Sequence, residues 1–167
     1  NGISYSNAAV IALGASSIPF YILKHQHFLR SKRDLVVTKV DAPHRKVINF
    51  DGYPAAQRYA EILGLTVKDL NSEVFSRYPL TFSCNNEIYV RSIQKIEDDG
   101  GATFYCAVEQ GMVLEVATHR PMEESLREDL KKVRKSLKKV DWFIGCNCIL
   151  RSLEASANSY HEVLEKV

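Results

Sequence analysis

The stretch from Glu87 to Thr118 limits the possible folds more than any other part of the chain. Residues 88–97, 102–108 and 112–118 are rich in β-branched and aromatic side chains, and only Asp98-Asp-Gly-Gly101 and Glu109-Gln-Gly111 separate them. Both separators have turn chemistry, because Asp and Gly accept the backbone angles of a tight reversal. Parallel neighbours need a crossover of about a dozen residues, which gaps this short cannot hold. The spacing therefore predicts a three-stranded antiparallel meander.

The flanking segments supply further elements. Residues 35–40 and 46–50 are β-rich and joined by Asp41-Ala-Pro-His44, which predicts a hairpin. Ala8-Ala-Val-Ile-Ala-Leu13 is a continuous apolar run followed by Ser16, Ser17 and Pro19, the pattern of a strand covered on both faces. Pro54 suits a first helical position, Ala55, Tyr59, Ile62 and Leu63 follow at helical spacing, and Gly64 is placed to stop the helix. Thr66 with Asp69 reads as a capping box for a second short helix, with Leu65 and Leu70 as its hydrophobic staple.

Met122, Leu126, Leu130, Val133, Leu137 and Val140 trace one apolar stripe on a helix entered through Pro121. Glu123 and Glu124 near its start and Lys138 and Lys139 near its end suit the helix dipole. The stripe is short for a coiled-coil seam and is expected to pack on the sheet. Residues 142–150 read as another apolar strand, and helical spacing resumes from Ser152 through Ala157, Tyr160 and Leu164. The class is α+β: an antiparallel meander within a mixed sheet, packed by amphipathic helices.

Composition removes several functions. The 167 residues carry 22 basic and 20 acidic side chains and are 46% hydrophobic, which fits a globular core and fits neither a disordered chain nor a strongly basic nucleic-acid binder. No apolar run approaches the ~18 residues that cross a bilayer, so no membrane insertion is expected. Four cysteines are too few for a disulfide scaffold, and Cys84, Cys106 and Cys148 lie in or beside apolar stretches, as free core thiols do. Those thiols suit a reducing cytoplasm. The opening Asn1 and an ending inside a helix suggest a piece of a longer chain.

Few constellations carry chemistry. Gly100-Gly101 is the only glycine pair and follows two acids, which disfavours phosphate binding. Cys146-Asn-Cys148 with His119 could offer zinc ligands, but packing of two same-face thiols explains the spacing equally well, and no metal is assigned. Cys148 and His119 lack a third orienting group, so no catalytic residues are assigned. His25 and His27 beside Arg30, Lys32 and Arg33 could ligate haem or an anion; a solvated cationic loop is the simpler reading.

The lone charges inside apolar segments say more. Arg91 interrupts Ile88-Tyr-Val-Arg-Ser-Ile93, and Arg151 follows Cys148-Ile-Leu150. A half-buried guanidinium needs a partner. Asp51, Glu109 or Glu115 could provide one internally, or a bound carboxylate could; both readings stay open here. Tyr78 and Tyr105 could line such a pocket.

Val47-Ile-Asn-Phe-Asp-Gly-Tyr-Pro-Ala55 with Tyr59, Tyr78-Pro-Leu80, Ile88-Tyr-Val-Arg91, Asp99-Gly-Gly101 with Cys106, Gly111-Met-Val-Leu114 and Cys148-Ile-Leu-Arg151 together resemble the C-terminal part of the FIST sensory domain. The resemblance implies residues 1–34 as the tail of a FIST N-terminal region and 35–167 as a FIST C-terminal domain truncated at its C-terminus. The family's closing Gly-Phe-Thr-Tyr-Gly-Glu-like strand has no counterpart before Val167. It further implies a non-enzymatic, cytoplasmic sensor of an amino acid or similar small anionic metabolite, coupled to a signalling output domain in cis or in trans. No cofactor is assigned, although some relatives are linked to haem and nitric-oxide sensing, and a protein–protein interaction module is the other alternative. Asp51, Arg91, Cys148 and Arg151 fall on the family's pattern; with Tyr78 and Tyr105 they form the expected ligand-binding set.

Overall fold

The computed structural model describes residues 4–85 and 87–157, except the side chains of Leu150, Leu153 and Ala157. Strand β1 (Phe28–Asp41) is the longest element. Its second half pairs with β2 (Lys46–Phe50) through the turn expected at Asp41-Ala-Pro-His44. β3 (Tyr53–Pro54) folds back on the end of β2, pairing antiparallel with Asn49 and Phe50. Helix α1 (Ala55–Leu63) follows, with Pro54 at its N-cap and Gly64 ending it at φ 71°, a left-handed angle that costs a residue with a Cβ. The Thr66–Asp69 capping box is present over the 3₁₀ turn Val67–Asp69. Helix α2 (Ser72–Arg77) is capped by Asn71, whose side-chain oxygen accepts from the amides of Glu73 and Val74 at 3.0 and 3.1 Å.

The later strands are β4 (Leu80–Cys84), β5 (Glu87–Arg91), β6 (Ile93–Ile96), β7 (Ala102–Phe104) and β8 (Val113–His119), followed by α3 (Met122–Ser136) and α4 (Ile149–Ala157). Pairing runs β5-β4-β8-β1-β2-β7-β6, and every ladder is antiparallel. The α+β class holds; the consecutive meander does not. β6 and β7 form the expected hairpin, with Gly100 at φ 79° in its turn, but β8 leaves them and pairs with β1 and β4. β5 and β6 stand at opposite ends of this path, yet Ser92 alone joins them. The sheet must therefore curl until its two ends meet, giving an almost closed barrel.

Inside lie Leu35, Val37, Val47, Phe50, Leu80, Phe104, Leu114 and Val116, with Tyr59 from α1 and Phe75 from α2. β1 alternates as a half-buried strand should: Leu35 and Val37 are buried, Val36 and Thr38 exposed. A bulge between Arg30 and Asp34 interrupts its ladder with β8. Glu115 of β8 fills that break. Its buried carboxylate accepts from Arg30 Nε at 2.7 Å and from the amide of Lys32, which sits at φ 62°.

Two expected strands are absent. Residues 8–13 are extended, exposed and unpaired, with Val10 94% and Leu13 99% accessible. Residues 142–148 are likewise irregular and exposed, and α4 begins where their strand was expected to end. Apolar sequence alone does not make a strand; backbone partners are also required, and the barrel's end strands already meet each other. The thiols are correspondingly not core residues: Cys84, Cys146 and Cys148 are exposed and Cys106 half-buried. Helix α3 buries Met122, Ser125 and Asp129, while Leu126, Leu130 and Val133 are half-buried and Val140 lies beyond its end, exposed. Its buried positions are thus confined to its first two turns, and the apolar stripe expected to pack on the sheet stays half-buried beyond them. Tyr160 and Leu164 lie outside the described residues.

Candidate ligand site

Arg91 ends β5 directly opposite Leu80 of β4. Cross-strand partners share a face, so Arg91 lies on the face that carries fully buried Leu80, at the corner where the barrel closes. Its Nε is buried without a hydrogen-bond partner, and Nη1 reaches only the neighbouring Val90 carbonyl at 3.3 Å. Among the described residues no carboxylate pairs with it; of the internal partners expected from sequence, Asp51 and Glu115 are engaged elsewhere and the exposed Glu109 makes no ion pair with it. Asp51 accepts from Arg58 Nε and from the Val36 amide, both at 2.9 Å, and Glu115 serves Arg30. The adjacent Ser92 is 4% exposed, with its hydroxyl buried and unpartnered. Three features thus meet at one corner: an unmatched cation, an unmatched hydroxyl and core packing. An unmet buried polar group costs about 1–3 kcal/mol, which a ligand can relieve.

Tyr105 reaches this corner through its backbone, donating its amide to the Ser92 carbonyl at 3.1 Å, while its side chain is 49% exposed. Tyr78 is half-buried at the C-cap of α2, and its carbonyl accepts the buried Tyr59 hydroxyl at 2.6 Å.

Arg151 lies elsewhere, on α4. Its Nε donates to Asn147 Oδ1 at 3.2 Å, and its Nη1 donates to His25 Nδ1. Burial lowers its pKa, against an opposing pull from the Glu154 carboxylate and Cys148. Cys148 stands at the start of α4, its carbonyl accepting the amides of Arg151 and Ser152. Cys148 and Arg151 are therefore neighbours, Arg91 and Tyr105 share the Ser92 corner, and Asp51 braces the β2–β3 turn through Arg58.

The histidines correct the sequence reading most. His27 is 1% exposed, not a solvated loop residue, and its Nε2 lies 2.7 Å from Glu154 Oε2. His25 stacks on it at 5.9 Å between ring centroids. Burial foremost, then the Arg151 and His27 charges, hold the His25 ring down at about 4 despite the opposing pull of Asp129. The available signal was a pair of polar residues, Ser125 and Asp129, on the buried face of α3; the dense basic residues around His25 masked it. No group of three or more His, Cys, Asp and Glu side chains able to hold a metal occurs among the described residues. An open cleft of about 490 Å³ beside the β1 bulge is lined by Arg30, Asp34, Ser83 and Glu115 and includes none of the six expected residues.

The described residues thus form an antiparallel, nearly closed barrel accompanied by helices, with an unmatched cation at its seam. Residues 55–167 match the family model described as the FIST C domain, and the chain belongs to that family, one of small-ligand sensory domains of signalling proteins. Comparison with curated proteins and with solved structures gave no match. None of the described helices is long and apolar enough to cross a membrane.

Proposed function

We propose that the chain is a non-enzymatic sensory domain that binds an amino acid or similar small carboxylate at the Arg91–Ser92 corner, with Tyr78 and Tyr105 at its margin, and signals occupancy to an output partner. The observation that carries this reading is the Arg91 guanidinium: on the core side of β5, its Nε buried and unmatched. A rigid guanidinium fork suits a carboxylate, and the Ser92 hydroxyl could take a further acceptor. Arg151 and Cys148 belong to the response more than to first contact, because Arg151 is already held by His25 and Asn147. Asp51 supports the fold beneath.

Calorimetric titration of the twenty amino acids and short dicarboxylates against the chain tests the reading. At least one should give saturable heat, and Arg91→Gln should weaken it tenfold or more without lowering Tm. Silence across the panel, or unchanged affinity in the variant, would defeat the proposal. Haem binding is the alternative that His25 and His27 suggested; it requires both rings to leave their present partners. A shifted Soret band that vanishes on replacing both histidines would favour it over the carboxylate.

A further inference from the structure

The polar groups around His25 and His27 are used neither by the core nor by the Arg91 corner. His25 accepts from Arg151 at Nδ1, so its proton sits on Nε2, which is buried without a partner. His27 faces Glu154 with Nε2 and leaves Nδ1 buried and unmatched. The side-chain hydrogen bonds of both histidines end on α4, which also packs against α2. The backbone carbonyl of His27 is fixed at 3.2 Å from the Arg120 amide, so residues 25–27 form a strap anchored at the end of β8.

We propose that this strap and α4 form a proton-operated clasp, in which a proton on His25 sets a cation against the Arg151 guanidinium and releases α4 while the barrel stays folded. This deepens the sensory reading by naming the element that moves, and it does not depend on Arg91. The groups facing His25 are Arg151 from α4, His27 from the strap, Asp129 from α3 and Arg120 before α3; His27 in turn faces Glu154 of α4, and His119 of β8 meets its ring at 6.3 Å. Arg151, His27 and Arg120 thus disfavour a proton on His25 and Asp129 favours it, with Glu154 committed to His27.

The direction follows from linkage. Once released, His25 regains an ordinary value near 6.5, against about 4 when clasped. The open form therefore binds the proton more tightly, and the clasp loosens as pH falls from about 6.5 towards 4. Because the ring is only half-buried, solvent screening trims the effect, leaving about tenfold more opening across that interval.

Hydrogen–deuterium exchange of the full chain, corrected for intrinsic rates, reads this directly. Between pH 6.5 and 4, amides of α4 should lose about tenfold in protection while those of β1 and β8 keep theirs. His25→Asn should make α4 insensitive to pH in that range. Should the variant fail to fold, the midpoint of α4 release in the wild-type chain must coincide with the His25 ring titration seen by NMR. Loss of α4 and β8 protection in step, pH dependence surviving in His25→Asn, or non-coincident midpoints would overturn the clasp. None of these readouts uses a ligand, so a silent carboxylate panel and a failed clasp are separate results.

Discussion

A lone charge in an apolar run is an instruction to look for its partner, and the two such residues, Arg91 on β5 and Arg151 on α4, resolve differently from each other and from Glu115 on β8, itself one of their candidate partners. Glu115 found its partners in the β1 bulge, Arg151 in a histidine, and Arg91 none among the described residues. Sequence could mark the two arginines but could not assign these long-range partners, because Arg30 lies 85 residues from Glu115 and His25 lies 126 from Arg151. Asp51 shows the converse: it matches the family pattern, yet both its oxygens are spent on Val36 and Arg58. We expect Asp51→Ala to cost about 1–3 kcal/mol in urea denaturation. Asp51→Asn should cost less, since an amide oxygen can still accept from Val36 and Asn tolerates the φ of 52°. Neither should alter carboxylate affinity in the folded protein; an affinity loss with unchanged stability would return Asp51 to the ligand shell.

The helices were legible because their signals are local. Pro54, Gly64, Thr66 with Asp69, and Pro121 each act within a turn of their own position, and each does what its chemistry implies. Asn71 was overlooked, though its two amide bonds make it the plainest cap in the chain. Asn71→Ala should cost about 1 kcal/mol, as should Gly64→Ala at its left-handed angle, both measurable as shifts in the denaturation midpoint. Strands gave mixed results for a physical reason. The hairpins at 41–46 and 96–102 are set by their own turns, whereas the place of β8 beside β1 depends on contacts some 80 residues apart. Residues 8–13 and 142–148 have strand composition and no ladder to join, so the same pattern ends as exposed chain.

Across the whole molecule, closure at Ser92 turns a linear order of strands into a barrel and brings Arg91 to its seam. Acid should loosen this body in stages. The Glu115 carboxyl is held low: burial would raise it, but Arg30 and the Lys32 amide together outweigh burial. Its contribution is present above the ordinary carboxylate range and fades as pH drops through its depressed pKa, so it is lost later in acid than the midpoint of an ordinary glutamate. Glu115→Gln should therefore flatten the acid limb of Tm against pH below about 4.5 while lowering Tm at neutrality; an unchanged acid limb would exclude Glu115 as its source.

The guanidinium at the seam can be watched without inferring contact from heat. In a ¹⁵N correlation spectrum of arginine side chains, assigned with Arg91→Lys, the Arg91 Nε–H signal should move and slow its exchange with water when a bound carboxylate saturates the protein. A carboxylate that binds saturably yet leaves this signal in place would contradict the account.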